Sequence, residues 1–194
     1  MAIGRALQCG YNLFFKAWRD SAYDAVLDFD GVLFRIEIKG SSTSSFAVTG
    51  GGRAGAQIDR TGPDREHILR KEDCDILLAI SGKTGHCYII PVEILEIFGQ
   101  KSVSFTKIEI FKEKWQVIKG VLLKKDKFFS SSLIQTGFQN MSLNDLKKLC
   151  KKYEIPFKNE SSKEWPGFQG GKITNLDEKS RIILDIWEFL YKNL

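Results

Sequence analysis

Residues 23–39 read YDAVLDFDGVLFRIEIK. Two runs of alternating apolar residues flank Asp30-Gly31, a dipeptide suited to the left-handed backbone of a two-residue hairpin turn. With those two residues as the loop, Phe29 faces Val32 and Asp24 faces Glu37. Side chains alternate along each strand. One face therefore collects Ala25, Leu27, Phe29, Val32, Phe34, Ile36 and Ile38, and must be core. The other collects Asp24, Val26, Asp28, Leu33, Arg35, Glu37 and Lys39. Opposed carboxylates with Cβ atoms roughly 5 Å apart repel each other unless a cation lies between them. Hard oxygen donors suit Mg2+, which keeps several of its waters, with Mn2+ able to substitute. Lys39 shares the face and would sit beside such an ion. The competing reading is a solvated hairpin face, with Asp24 paired to Lys39 and Asp28 to Arg35.

Working outward, the spacing predicts a helix over Ala2–Cys9, with Ile3, Ala6 and Leu7 inward and Gly10 as its stop. A strand follows over Asn12–Lys16. Beyond a Gly/Ser/Thr-rich stretch (40–55), with a short strand at Phe46–Thr49, Asp75–Ile80 and Cys87–Ile90 read as strands joined by a turn at Gly82–Gly85. Pro91 leads into a helix over Val92–Phe98. Val103–Ile110 and Trp115–Leu123 alternate as strands do. Ser142–Tyr153 reads as a helix capped by Ser142 with Asp145 in the reciprocal position. Residues 163–172 read as a loop. Asn175–Tyr191 reads as a last amphipathic helix with Leu176, Ile183, Ile186, Trp187 and Leu190 inward.

The 194 residues suffice for one domain with a hydrophobic core. No apolar run is long enough for a transmembrane helix, and Met1–Cys9 contains no signal-peptide core, so a cytoplasmic protein with no membrane partner is expected. Cys9, Cys74, Cys87 and Cys150 are scattered and read as reduced, mostly buried thiols. With only His67 and His86 to join them, a zinc site is not expected. The net charge of +5 is unevenly spread. Residues 1–100 hold 11 Lys/Arg against 13 Asp/Glu, and residues 101–194 hold 18 against 11. A basic half beside a slightly acidic half suggests a polyanion-binding part next to a metal-binding part, and solvated surface lysines are the plainer alternative.

Tyr23-Asp24 followed by Arg35-Ile36-Glu37-Ile38-Lys39 resembles the D…E-x-K signature of the PD-(D/E)XK nucleases, with Tyr23 where proline often stands. Gly10-Tyr11-Asn12, the Ser-rich stretch after Lys39, Glu72-Asp73-Cys74-Asp75 and Tyr88-Ile89-Ile90-Pro91 follow in order. Over about residues 2–98 the chain thus resembles a bacterial branch holding restriction-like and group I intron-encoded endonucleases. The resemblance implies an α/β fold, a restriction-endonuclease-like mixed sheet flanked by helices. It implies Asp24, Glu37 and Lys39 as catalytic residues, Asp24 and Glu37 as metal ligands, Mg2+ as cofactor, and hydrolysis leaving 5′-phosphates. One departure stands out: the family often carries a Glu on the first helix, and here no acid precedes Asp20.

The expected organisation is a catalytic core over residues 1–100 and a basic DNA-recognition and dimerisation extension over 101–194, packed as one unit. Candidate DNA contacts are Arg53, Gln57 and Arg60 after the glycine run, Lys124, Lys125 and Lys127 before Phe128-Phe129, and Lys147, Lys148, Lys151 and Lys152 on the Ser142 helix. The aromatic and leucine side chains among these lysines are expected in the core, and Arg35 is expected to be structural. The leading expectation is a sequence-specific double-strand endonuclease of restriction type acting as a homodimer on duplex DNA. An intron-encoded homing endonuclease is the near alternative. A Holliday-junction resolvase and an inactive nuclease-like DNA-binding module are the others.

Overall fold

A computed structural model describes residues 2–15, 22–50, 67–124, 127–157, 162–164 and 172–194. The chain opens with helix α1 (Ala2–Gln8) and strand β1 (Asn12–Phe15). The hairpin follows as β2 (Ala25–Phe29) and β3 (Val32–Ser41). Its turn has positive φ at both Asp30 (50°) and Gly31 (80°), as the Asp-Gly dipeptide predicts. The register runs from Phe29↔Val32 to Ala25↔Ile36. Ala25, Leu27, Phe34 and Ile36 are buried, which confirms the apolar face.

Three short strands come next: β4 (Ser45–Ala47), β5 (Thr49–Gly50) and β6 (His67–Ile68). Strands β7 (Ile76–Ser81) and β8 (Cys87–Pro91) then complete a five-stranded sheet in the order β1-β2-β3-β7-β8. β7 runs parallel to β3 and all other neighbours are antiparallel, so the sheet is mixed. Nearly every residue of β7 and β8 is buried, as expected of strands covered on both faces. Helix α2 (Val92–Phe98) follows directly and ends on Gly99, whose φ of 63° is the usual left-handed helix stop.

Residues 102–124 depart from the expected strands. Of the expected strand Val103–Ile110 only the start is extended, as β9 (Ser102–Ser104), pairing with β4. Phe105, Ile108 and Phe111 are buried at a spacing of three, and that spacing matches the two tight 3-10 turns at Phe105–Lys107 and Glu109–Phe111. A one-turn helix α3 (Gln116–Lys119) then gives way to β10 (Gly120–Lys124). Gly120 makes that switch at φ 90°, where a Cβ would stand 2.4 Å from the Phe129 carbonyl oxygen. β11 (Lys127–Ser130) pairs antiparallel with β10.

Helix α4 (Ser131–Thr136) packs on β10, β11 and β3. Helix α5 (Leu143–Tyr153) is capped by Ser142, whose hydroxyl accepts from the Asp145 N–H and bonds the Asp145 carboxylate. It buries Leu146, Cys150 and Tyr153. A small pair, β12 (Ser162–Glu164) and β13 (Lys172–Thr174), precedes α6 (Glu178–Lys192). On α6, Ile183, Ile186, Trp187 and Leu190 are buried as the pattern predicts. α1 differs from expectation: Ala6 is buried, while Ile3 and Leu7 are exposed. No helix among the described residues is long and apolar enough to cross a membrane.

The C-terminal helices share one hydrophobic cluster with the sheet. Polar ties reinforce it: the Tyr191 hydroxyl donates to the Ile89 carbonyl at 2.5 Å, and the Trp187 indole donates to Glu93 of α2. Glu93 also accepts from the backbone N–H groups of Phe138 and Gln139. One buried carboxyl thus fastens α2 to α6 and to the turn before α5.

Candidate active site

β2 stops pairing at Ala25, while β3 runs on to Ser41 along β7. Asp24 sits at the point of parting. Its N–H donates to the Ile36 carbonyl at 2.8 Å. Its side-chain Oδ2 accepts from the Ile38 N–H at 2.9 Å. The carboxylate therefore takes a hydrogen bond that a continued ladder would give to the main chain of β2. Ile38 lies between Glu37 and Lys39, so this bond holds Asp24 against the segment that carries them.

Glu37 and Lys39 are alternate residues of β3 and point to one face, beside Leu77 and Ala79 of β7. Lys39 Nζ lies 2.6 Å from Glu37 Oε1. The Lys39 and Glu37 side chains are only 29% and 12% exposed, so water screens this pair less than it would a pair at the surface. Lys39 is thereby aimed along its own strand, at Glu37.

The alternative surface pairing is not adopted at Arg35. Asp28 accepts from the Gly31 N–H, closing the turn. Arg35 instead grips Asp75 through Nε (3.2 Å) and Nη2 (3.1 Å), and donates to the carbonyls of Lys71 and Glu72. Lys71 Nζ completes the cluster at 2.7 Å from Asp75, whose side chain is 1% exposed. The bond to Asp75 raises the already high Arg35 pKa further. Arg35 is structural, as its sequence context suggested: it pins residues 71–75 to the strand that bears Glu37.

Cys74 lies beside Glu37, and burial pushes its thiol up to about 12, so it stays protonated. The other cysteines are also free, with Cys87 and Cys150 buried and Cys9 partly so. His67 is paired with Asp73 at 2.8 Å, and His86 lies 3.6 Å from Glu113. His67, Arg70, Glu72, Asp73 and Glu96 line a separate cleft of about 500 Å³. Sequence reading did not single out Asp75 or Glu93, the most heavily bonded buried acids.

The donor set fits a divalent cation. Asp24, Glu37 and Lys39 together carry one net negative charge. The carboxylates supply hard oxygens, and the Ile38 carbonyl projects from the same strand edge as its N–H. Among the described residues, no group of three or more His, Cys, Asp or Glu side chains is arranged to hold a metal. Two carboxylates are hard oxygen donors of the kind divalent cations take.

The expected DNA contacts are dispersed. Arg53, Gln57, Arg60 and Lys125 lie outside the described residues. Lys124 ends β10, and Lys127 pairs with Glu154 at 2.7 Å. On α5, Lys147 pairs with Glu178 and Lys148 with Asp145, whereas Lys151 and Lys152 are exposed, with Lys152 over the Tyr153 ring.

A mixed sheet flanked by helices, with an Asp and an E-x-K segment meeting where two strands part, defines an endonuclease-like fold. Residues 1–119 match the PD-(D/E)XK endonuclease family, and the chain belongs to it. It is a DNA endonuclease. Among solved structures, a bacterial homing endonuclease, I-Ssp6803I, is similar at 21% identity and a TM-score of 0.47, over 60% of this chain and 84% of that one. Comparison with curated proteins gives no match.

Proposed function

We propose that the protein is a Mg2+-dependent, sequence-specific double-strand DNA endonuclease of restriction type, with Asp24, Glu37 and Lys39 as its catalytic residues. The observation that carries the reading is the joint placement of the three. The Asp24 carboxylate is bonded to the Ile38 N–H, and Lys39 is bonded to Glu37. Asp24 and Glu37 would hold the ion. When bound, Mg2+ supplies Lewis acidity and neutralises charge at the phosphodiester.

The chain's own groups do the rest. Glu37 keeps the Lys39 ammonium at the site, where it orients the attacking water and offsets the negative charge that grows on the phosphate. The water oxygen bonds to phosphorus and gives up a proton, the bond from phosphorus to the 3′ oxygen breaks, and that oxygen takes up a proton in its place. The products are a 3′-hydroxyl and a 5′-phosphate. Asp24 is held beside this segment by the Ile38 N–H.

In this reading residues 1–100 form the catalytic core, and residues 101–194 supply DNA recognition and dimerisation. One such site cuts one strand, so double-strand cleavage calls for a homodimer with two-fold symmetry. The test is incubation of the protein with Mg2+ and a library of DNA duplexes, followed by sequencing of the ends. Recurrent ends with 5′-phosphates at one short sequence are expected. Intact DNA, or ends scattered without sequence preference, would overturn the proposal.

A further inference from the structure

The β10–β11 hairpin carries an apolar pair that the core does not use. Its inner face is Val121 and Phe129, both fully buried. Its outer face carries Leu122 and Phe128, directly opposed across the two strands. They are 65% and 51% exposed, although aromatic and leucine side chains in this stretch are expected in the core. A Cβ on Gly120 would lie 2.6 Å from Phe128 Cζ, so the ring folds back along the ribbon over the glycine. The pair thus forms a low apolar strip rather than a projecting wedge.

The surroundings indicate what covers this strip. The two strands are joined through Lys124-Lys125-Asp126-Lys127, and residues 101–163 hold 14 Lys against 6 Asp/Glu. An apolar strip on a basic ribbon matches a polyanion that also offers apolar groups. Duplex DNA does so in its major groove, which admits a two-stranded β-ribbon and presents the thymine methyl. The hairpin is also tied to the site: α4 packs on both of its strands and on β3, the strand of Glu37 and Lys39. A ribbon seated in the groove would therefore fix the position of the scissile phosphate.

We infer that the outer face of the β10–β11 hairpin enters the major groove and that Leu122 and Phe128 contact thymine methyl groups there. Other lysines of the basic half take backbone phosphates, which give affinity without sequence information. The inference builds on the proposed sequence-specific cleavage and assigns part of that specificity to two apolar residues.

The test uses the full chain and the double variant Leu122→Ser/Phe128→Ser, in EDTA so that DNA is bound but not cut. Both residues are exposed, so the variant should keep its unfolding midpoint. The wild type first selects a preferred sequence from a pool of random duplexes. That duplex is then made with thymine and, separately, with deoxyuridine, which lacks only the methyl groups. Wild type should bind the deoxyuridine duplex about fivefold or more weakly. The variant should bind about tenfold more weakly than wild type, be indifferent to the methyl groups, and keep the same salt dependence.

Equal wild-type affinity for the two duplexes would overturn the inference. So would a variant that selects the same sequence with wild-type affinity. A variant that turns a wild-type dimer into a monomer in sedimentation would assign the pair to a protein interface and overturn it as well. The methyl comparison needs no variant to fold. Cleavage in Mg2+ is scored separately: a wild type that discriminates methyl groups but does not cut would refute the proposed activity and leave the groove contact standing.

Discussion

Asp24 accepts a hydrogen bond from the backbone N–H of Ile38 at 2.9 Å, although the two are fourteen residues apart. The bond forms where β2 gives out and β3 continues. It converts a strand end into a carboxylate held beside the E-x-K segment. A main-chain N–H of that segment, rather than another side chain, holds the Asp24 carboxylate there.

Asp24→Asn separates the bond from the charge. The amide oxygen can still accept from Ile38, so the unfolding midpoint should stay close to wild type, while Mg2+ affinity and cleavage should both collapse. Asp24→Ala should additionally lose about 1 kcal/mol of stability. Thermal unfolding, calorimetric Mg2+ titration and plasmid cleavage on both variants check this. Asp24→Asn retaining more than about a tenth of wild-type cleavage would remove Asp24 from the mechanism.

Lys39→Ala should reduce cleavage by about 100-fold or more, the scale of losing one group that stabilises transition-state charge. Binding of duplex DNA should change little, because the ammonium is held at Glu37 rather than turned outward to dock DNA. Gel-shift and single-turnover assays on one duplex compare the two effects. Unchanged turnover would refute the assignment.

Neutralising Lys147, Lys148, Lys151 and Lys152 together should weaken DNA binding and flatten its salt dependence, since each lost phosphate contact removes roughly 0.9 from the logarithmic slope. Lys151→Gln/Lys152→Gln alone should produce most of the effect, because Lys147 and Lys148 already have acidic partners. Cleavage at saturating enzyme should survive. Identical affinity and slope in the quadruple variant would make this helix a solvated surface.

Glu93 sets a pH dependence of stability. Burial raises its pKa above the ordinary 4.5, so the native state holds this proton more tightly than the unfolded chain. Its contribution is therefore full below the unfolded value and is lost as pH rises through the native one. Glu93→Gln does not titrate, and it leaves the Trp187 N–H poorly matched, at a cost of about 1–3 kcal/mol. Urea midpoints should show the variant less stable, with the gap to wild type narrowing as pH rises. A gap that widens would contradict the raised pKa.

Much of this architecture was legible in the sequence because local signals were strong. Asp30-Gly31 fixed the hairpin register and hence which residues share the charged face. Ser142 marked a helix start. The buried strands β7 and β8 stood out as apolar runs. What was not legible depends on contacts distant in sequence. Nothing local says that Asp24 bonds to Ile38, that Asp75 takes up Arg35, or that Glu93 meets Trp187. Residues 105–119 misled because their spacing of three imitates alternation over short windows. Leu122 and Phe128 misled for another reason: apolar residues in a strand are usually core, and here an outward face carries them.

The central claim is that Asp24 and Glu37 hold one divalent ion beside Lys39. A crystal structure with duplex DNA and Mn2+, read from the anomalous signal of the metal, tests it most directly. The account predicts one ion bonded to an oxygen of each carboxylate at about 2.1 Å, with Lys39 beside it and a phosphate oxygen in its shell. Carboxylates more than about 8 Å apart, or an ion bound elsewhere with none between them, would contradict it, since bonds of about 2.1 Å cannot bridge that gap.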